Sequence, residues 1–367
     1  MIKKDIENKI VIIAEAGVNH NGSVERALEM VDVAAEAGAD IIKFQTFNAK
    51  QVITQKTPKV DYQLRNTGKL ESMLEMAQKL ELNNDAHHLI MQQCKERGIE
   101  FLSSPFDLQS MRYLIDKLIL SKVKIASGEI TNFPLLLAAG QSKRKIILSS
   151  GMSSLGEIEA ALGVIAYGLI NSDLPCRNSD IFRDVFSSLE GQNALHKYVS
   201  LLHCTTEYPS NFEDVNLRAM DTMREAFGLQ VGLSDHTLGI TVPIAAAARG
   251  ATIIEKHFTL DKNLEGPDHI ASLDPSELSI MVRSIREVEL SLGNKIKYPT
   301  ASEKKNLPIV RRSLTAACEI SQGEKFTAEN LTTKRPGTGI PATKYWEFIG
   351  TKACRNYQED EQIENFI

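Results

Sequence analysis

The chain has 367 residues, 43% of them hydrophobic and 24% charged, which is enough to bury a large core and more than one average domain requires. A formal net charge of -5 gives no overall support to polyanion binding, and no apolar stretch approaches the length of a membrane span, so neither nucleic acid nor membrane is an expected partner. Five scattered cysteines, odd in number and without a Cys-x-x-Cys pair, argue against a disulfide framework and a structural zinc cluster, and fit a reducing, cytoplasmic setting.

The basic start Met1-Ile2-Lys3-Lys4 has the look of a signal sequence, but the apolar run 10–14 is too short for one and meets Glu15 at once; it reads as a strand. Similar β-branched runs follow at 40–44, 99–103, 122–126, 145–149, 198–203, 230–233 and 252–255. Amphipathic segments such as 24–37, 70–97, 155–169 and 275–292 lie between and after them. Near-continuous apolar strands alternating with helices predict a parallel sheet covered on its outer face. Eight such units within residues 1–292 predict an α/β fold of the closed (β/α)8 TIM-barrel type.

Two long connections interrupt this rhythm. Residues 47–69 follow the second strand on the mouth side and carry Tyr62, Gln63 and Asn66, as a lid or substrate loop would. Residues 172–193 precede the sixth strand on the opposite face, where packing or assembly is the expected role. Beyond the barrel, 293–308 is polar and basic and reads as a linker. From residue 309 to 367, short strands and the turn Lys334-Arg335-Pro336-Gly337 predict a small β-rich domain.

The apolar runs end in chemistry: Glu15, Lys43 with Gln45, Ser104, Lys124 with Ser127 and Glu129, Ser149, Thr205 and Thr206, His236, and His257. In a barrel these ends converge on one mouth. Strand ends that merely leave the core explain serines and threonines, but poorly explain lysines, glutamates and histidines aimed at one opening. Lys43 and Lys124 beside serine hydroxyls suit a phosphate. The plainer reading pairs the two lysines with Glu15 and Glu129.

Gly232-Leu233-Ser234-Asp235-His236 and Ile253-Ile254-Glu255-Lys256-His257 place two imidazoles at neighbouring strand ends, able to share one divalent metal. Glu255, two residues before His257, points to the same side as a ligand or as an orienter of the imidazole. Two histidines with an open position suit a Lewis acid that polarises a carbonyl. Tyr208 and Asp268 are candidates for holding polyol hydroxyls.

Further motifs include Glu15-Ala16-Gly17-Val18-Asn19-His20-Asn21-Gly22, Ser103-Ser104-Pro105-Phe106, Ser149-Ser150-Gly151-Met152, Cys204-Thr205-Thr206-Glu207-Tyr208-Pro209 and Gly266-Pro267-Asp268. In this order, with the strand-end motifs above, they resemble the sialic acid synthase family, which includes N-acetylneuraminate and N,N'-diacetyllegionaminate synthases. The tail from Ile309 is similar to the antifreeze-like (SAF) domain attached to these synthases. The resemblance implies condensation of phosphoenolpyruvate with an N-acylated amino sugar. It implies that His236 and His257 bind Mn2+ or Mg2+ and that Lys43, Ser104, Lys124, Ser127, Ser149 and Thr206 surround phosphoenolpyruvate. Glu15, Gln45, Tyr208 and Asp268 would then face the sugar, with Asn66 and Glu255 also binding substrate and Glu129 handling protons. It further implies that Arg335 reaches the N-acetyl group of sugar bound in a partner's barrel, hence a domain-swapped homodimer.

The leading expectation is N-acetylmannosamine as substrate and N-acetylneuraminate as product. The alternative sugar is 2,4-diacetamido-2,4,6-trideoxymannose, the substrate of a legionaminic acid synthase. A non-catalytic sugar-binding or ice-binding protein on a retired scaffold would show an eroded mouth, yet the lysines, carboxylates and histidines are all present.

Overall fold

A computed structural model of the chain describes residues 9–68, 71–171 and 180–364. The chain divides into two compact units, residues 1–293 and 294–367.

The first unit is the (β/α)8 barrel. Its strands are β1 (Val11–Gly17), β2 (Ile41–Thr46), β3 (Glu100–Pro105), β4 (Lys122–Ile125), β5 (Lys145–Ser149), β6 (Val199–Cys204), β7 (Gln230–Asp235) and β8 (Ile253–His257). They run in the order β3-β2-β1-β8-β7-β6-β5-β4, every paired neighbour parallel, and contact between β3 and β4 closes the cylinder.

The two-residue alternation of a strand divides each sequence between two environments. Ile12, Ala14, Ile42, Phe44, Leu201 and Ile254 face outward and pack in one large core under the helices. Ile13, Ile41, Leu102, Ile147, Leu202 and Ile253 face inward and form a separate apolar plug inside the barrel. Two residues further along the same strands come Glu15, Lys43, Ser104, Ser149, Cys204 and Glu255. The plug is therefore the floor on which the polar mouth stands.

Helices depart from the sequence reading where capping outweighs apolar period. The stretch read as one helix over 70–97 is two, Met73–Lys79 and Asn84–Arg97. Ser72 and Glu75 form a capping box on the first, and the Asn83 side chain accepts from Ala86 N at the start of the second. Residues 47–69 include the short helices Ala49–Val52 and Asp61–Thr67; Lys69 and Leu70 lie outside the described residues. Of the 172–193 segment, residues 172–179 are also outside them. The remainder forms helix Asp180–Phe186 and begins helix Leu189–Tyr198, with Phe182 edge-on to Tyr167 at 5.4 Å. No helix among the described residues is long and apolar enough to cross a membrane.

The second unit pairs β9 (Ser313–Ala316) antiparallel with β10 (Leu331–Lys334) over a core containing Leu314, Ile320, Phe326, Leu331 and Tyr357. Most of helix Ala301–Val310 lies in the segment read as a linker. None of its residues is buried, so its sequence lacks the apolar stripe that marks a helix.

Candidate active site

The mouth encloses a cavity of about 360 Å³ lined by the ends of the barrel strands and by side chains of the connection between β2 and β3, among them Phe47, Ile53, Tyr62 and Met76. On one side lies a cationic cradle. Lys43 Nζ is 2.8 Å from Glu15 Oε1, 3.2 Å from Ser104 Oγ and 3.8 Å from Glu255 Oε1. Lys124 Nζ is 3.0 Å from that same Glu255 oxygen, which also accepts from Ser234 Oγ at 2.9 Å. Both lysines are almost wholly buried.

Burial raises the Glu15 carboxyl well above the usual range, and neighbouring Glu255 adds to this against the pull of Lys43. For Glu255, burial is overcome by Lys124 and Lys43, which hold it down as a carboxylate. Two buried lysines thus meet two carboxyls, of which Glu255 is the one held firmly as the carboxylate. Burial, aided by Lys43, also lowers Lys124 despite Glu255.

Hydroxyls complete the cradle. Ser149 Oγ and Thr206 Oγ1 are buried without a partner, and Ser127 Oγ accepts from Gly151 N at 3.0 Å. A Cβ at Gly151 would lie 2.2 Å from Thr206 Oγ1 and 2.8 Å from Ser127 Oγ, so only glycine leaves this floor open. Unsatisfied buried hydroxyls beside lysines are donors waiting for phosphate or carboxylate oxygens.

Adjoining the cradle, at the ends of β7 and β8, the His236 and His257 rings lie with centroids 5.4 Å apart, and His257 is the register partner of Glu15. His236 Nδ1 is 2.6 Å from the Thr205 carbonyl, which assigns the proton there and frees Nε2. The His257 ring makes no hydrogen bond, and its Nδ1 is buried. Burial, with His236 next in effect, holds His257 well below its ordinary pKa and therefore neutral. Gly17, at φ +54, passes beneath this ring; a Cβ there would sit 3.1 Å from His257 Cε1. Tyr208 packs on His236 at 4.0 Å and edge-on to His257 at 5.6 Å.

Two imidazoles at adjacent strand ends, each with a ring nitrogen left without a partner, are the kind of donors that would hold a divalent cation. No group of three or more His, Cys, Asp or Glu among the described residues is arranged to hold a metal. Protein ligation would therefore stop at two, with other positions left to water or substrate oxygens.

Most of the expected site residues line this one cavity: Glu15, Lys43, Gln45, Ser104, Lys124, Ser127, Glu129, Ser149, Thr206, Tyr208, His236, Glu255, His257 and Asp268. Asp268 is buried, and burial pushes it up to about 6 against the pull of His236. Glu129 is half-buried and also raised by burial, with Oε2 accepting from Asn132 at 2.7 Å.

Three expectations need correction. Lys124 pairs with Glu255, not with Glu129, because Glu129 lies past the strand end in the turn Ser127–Glu129 while Lys124 sits level with Glu255. Glu255 does not orient an imidazole; Ser234 and the lysines engage its Oε1, and Oε2 has no partner. Asn66 does not line the cavity: helix Asp61–Thr67 turns its amide toward Pro267 O, 2.7 Å away, beside Asp268. Arg335 belongs to the second unit, where its Nε donates to Val310 O at 2.9 Å.

Sequence reasoning assigned no role to Cys204, 3.8 Å from His236 Nδ1, or to Ser234. Both follow from the rule that gave Glu255, since each lies on the inward side of its strand. Phe47, Phe106, Met73 and Met76 also line the cavity and were not anticipated.

Comparison with known proteins accords with this geometry. Residues 30–297 match the NeuB family and residues 311–365 match the SAF domain. The chain is 49% identical to N,N'-diacetyllegionaminic acid synthase of Campylobacter jejuni, over 97% of this chain and 99% of that protein. It is 42% identical to the enzyme of the same name from Legionella pneumophila, over 94% and 90%. Among solved structures, the N-acetylneuraminic acid synthetase of Leptospira borgpetersenii is similar at a TM-score of 0.66 and 32% identity, covering 82% of this chain and 90% of that one. Cradle, imidazole pair and barrel thus occur in a chain that belongs to the NeuB family of phosphoenolpyruvate-dependent, C–C bond-forming synthases and carries a SAF domain.

Proposed function

We propose that this synthase condenses phosphoenolpyruvate with 2,4-diacetamido-2,4,6-trideoxymannose and water, giving N,N'-diacetyllegionaminate and phosphate. The observation that carries the chemistry is one cavity holding both an anion cradle, with two unpartnered buried hydroxyls, and two imidazoles that each keep a ring nitrogen free. The choice of sugar is supported by the 49% and 42% identity to proteins named for that product, and it displaces N-acetylmannosamine as the leading substrate. A sialic acid reading retains support from the 32% identity to the Leptospira protein.

Lys43 and Lys124 would neutralise the phosphate and carboxylate, with Ser104, Ser127, Ser149 and Thr206 donating to their oxygens. The electron pair of the enol then forms the bond from C3 to the aldehyde carbon. A divalent cation bound by His236 and His257, Mn2+ or Mg2+, would supply Lewis-acid polarisation of that carbonyl. Glu15, whose burial favours the protonated form, would deliver a proton to the developing alkoxide. Water adds at C2 and loses a proton to Glu129, after which the C2–O bond to phosphate breaks and the remaining hydroxyl proton departs. Tyr208 and Asp268 would fix the sugar hydroxyls, converting two encounters into one oriented complex.

The SAF unit would act in trans within a domain-swapped homodimer of this cytoplasmic enzyme, bringing Arg335 to the N-acyl group. The deciding assay is phosphate release from phosphoenolpyruvate with the two sugars side by side, with and without Mn2+. Preference for the diacetamido sugar is expected; release with neither sugar would overturn the synthase reading for this chain.

A further inference from the structure

We infer that the cavity extends past the strand ends into an apolar compartment that receives the methyl-bearing end of the sugar and sets the preference for a deoxy, N-acylated substrate over a hydroxylated one. The inference rests on the amino-sugar reading above and deepens it.

The compartment follows from strand register. Gln45 on β2 pairs with Ser104 on β3. Continued by two residues, the same alternation leads to Phe47 and Phe106, whose rings meet edge-on at 6.0 Å. They stand one level above the Gln45 and Ser104 pair and two above Lys43. Val52 and Ile53, at the end of helix Ala49–Val52, and Met73 and Met76, from helix Met73–Lys79, line the same cavity. Among the described residues, 47–80 contribute no charged side chain to it; the charged groups come from the strand ends, from Glu129 in the turn after β4 and from Asp268 in the loop after β8.

These side chains are of the kind a core buries, yet Phe47, Ile53, Met73 and Phe106 are only half-buried and Val52 is exposed. What would cover them is substrate. With the reacting carbonyl between the cradle and the imidazoles, the distal end of an open-chain sugar must run into the space that remains. A C6 methyl or an acyl methyl there gains apolar contact, and methionine side chains adapt to its shape. A hydroxyl there leaves water without gaining a partner. Apolar pockets reject an added hydroxyl by at most roughly 100-fold, which sets the scale of the preference.

The test compares kcat/KM for 2,4-diacetamido-2,4,6-trideoxymannose and for N-acetylmannosamine in wild type, Met76→Gln and Ile53→Asn. Glutamine keeps the length of Met76 and can still accept from Thr67 Oγ1, which lies 3.7 Å from Met76 Sδ. Ile53, half-buried, tolerates a polar replacement should Met76→Gln fail to fold. We expect the wild type to prefer the deoxy sugar and either variant to reduce that preference about tenfold, with KM for phosphoenolpyruvate unchanged. A preference for N-acetylmannosamine in the wild type, or an unaltered ratio in a folded variant, overturns the apolar compartment while leaving the synthase reading intact. Turnover of neither sugar by the wild type fails the synthase reading instead.

Discussion

Lys256 Nζ lies 2.6 Å from Asp235 Oδ2, and the two residues are register partners across β7 and β8. Each immediately precedes one of the mouth histidines. Alternation turns the pair away from the cavity, into the wall where Lys256 is wholly buried. Asp235 also accepts from Thr237 N at 3.1 Å and from Thr237 Oγ1 at 3.0 Å. Lys256 further donates to Thr237 O. The turn bearing His236 is thus fastened to the strand bearing His257.

Lys256→Met should leave a buried carboxylate unpaired and cost about 3–5 kcal/mol in urea unfolding. Asp235→Asn combined with Lys256→Met removes both charges while keeping an acceptor for Thr237 N, and should recover much of that loss. If the imidazoles hold Mn2+ as proposed, its affinity by calorimetry should stay about 10–100-fold weak in the double variant because they lose their brace. His236→Ala serves as the reference for complete loss with the fold retained. A double variant that binds Mn2+ like the wild type would reduce the pair to a stabilising role.

Gly151→Ala tests the anion cradle without altering any charge. The added methyl would press into Thr206 Oγ1 and Ser127 Oγ. KM for phosphoenolpyruvate should rise at least about tenfold, the scale on which a displaced charge-assisted contact is felt. Sugar KM should move far less. Equal changes in both constants would mean that Gly151 shapes the mouth generally.

Asp268 predicts a pH signature in metal-free protein. Burial raises its carboxyl from 3.8 to about 6, so the folded state binds this proton more tightly than the unfolded chain does. The stabilisation is complete below about pH 4 and is lost as pH rises through 6, by roughly 3 kcal/mol in all. Asp268→Asn should remove that decline from the stability profile. Parallel profiles for wild type and variant would show that Asp268 is accommodated as a carboxylate.

Arg335→Ala addresses assembly. If the SAF unit of one subunit serves the barrel of the other, the variant should raise sugar KM by about tenfold or more while phosphoenolpyruvate KM holds, consistent with loss of one charged contact. Sedimentation should give a dimer for both proteins. A monomeric, fully active wild type would rule out action in trans.

The barrel was legible because its cause is local and repeated. Eight apolar runs separated by helical segments allow few arrangements, and the polar residue ending each run marks the mouth once the strands are parallel. Hence Lys43, Lys124, His236 and His257 could be named from the chain alone. The helix Ala301–Val310 was not legible, since an element that buries nothing leaves no periodic trace.

What the sequence determined by itself was the fold, the strand-end residues such as Lys43, Lys124, His236 and His257 that reach the mouth, and the family, all functions of periodicity and ordered motifs. Only the tertiary structure decided partners: Lys124 went to Glu255, Thr205 took His236, and Asn66 turned to Pro267. Motif order names which side chains reach a barrel's mouth. Their heights on the strands, and the loops folded over them, decide which atoms come within hydrogen-bonding distance, and those depend on contacts between residues far apart in the chain.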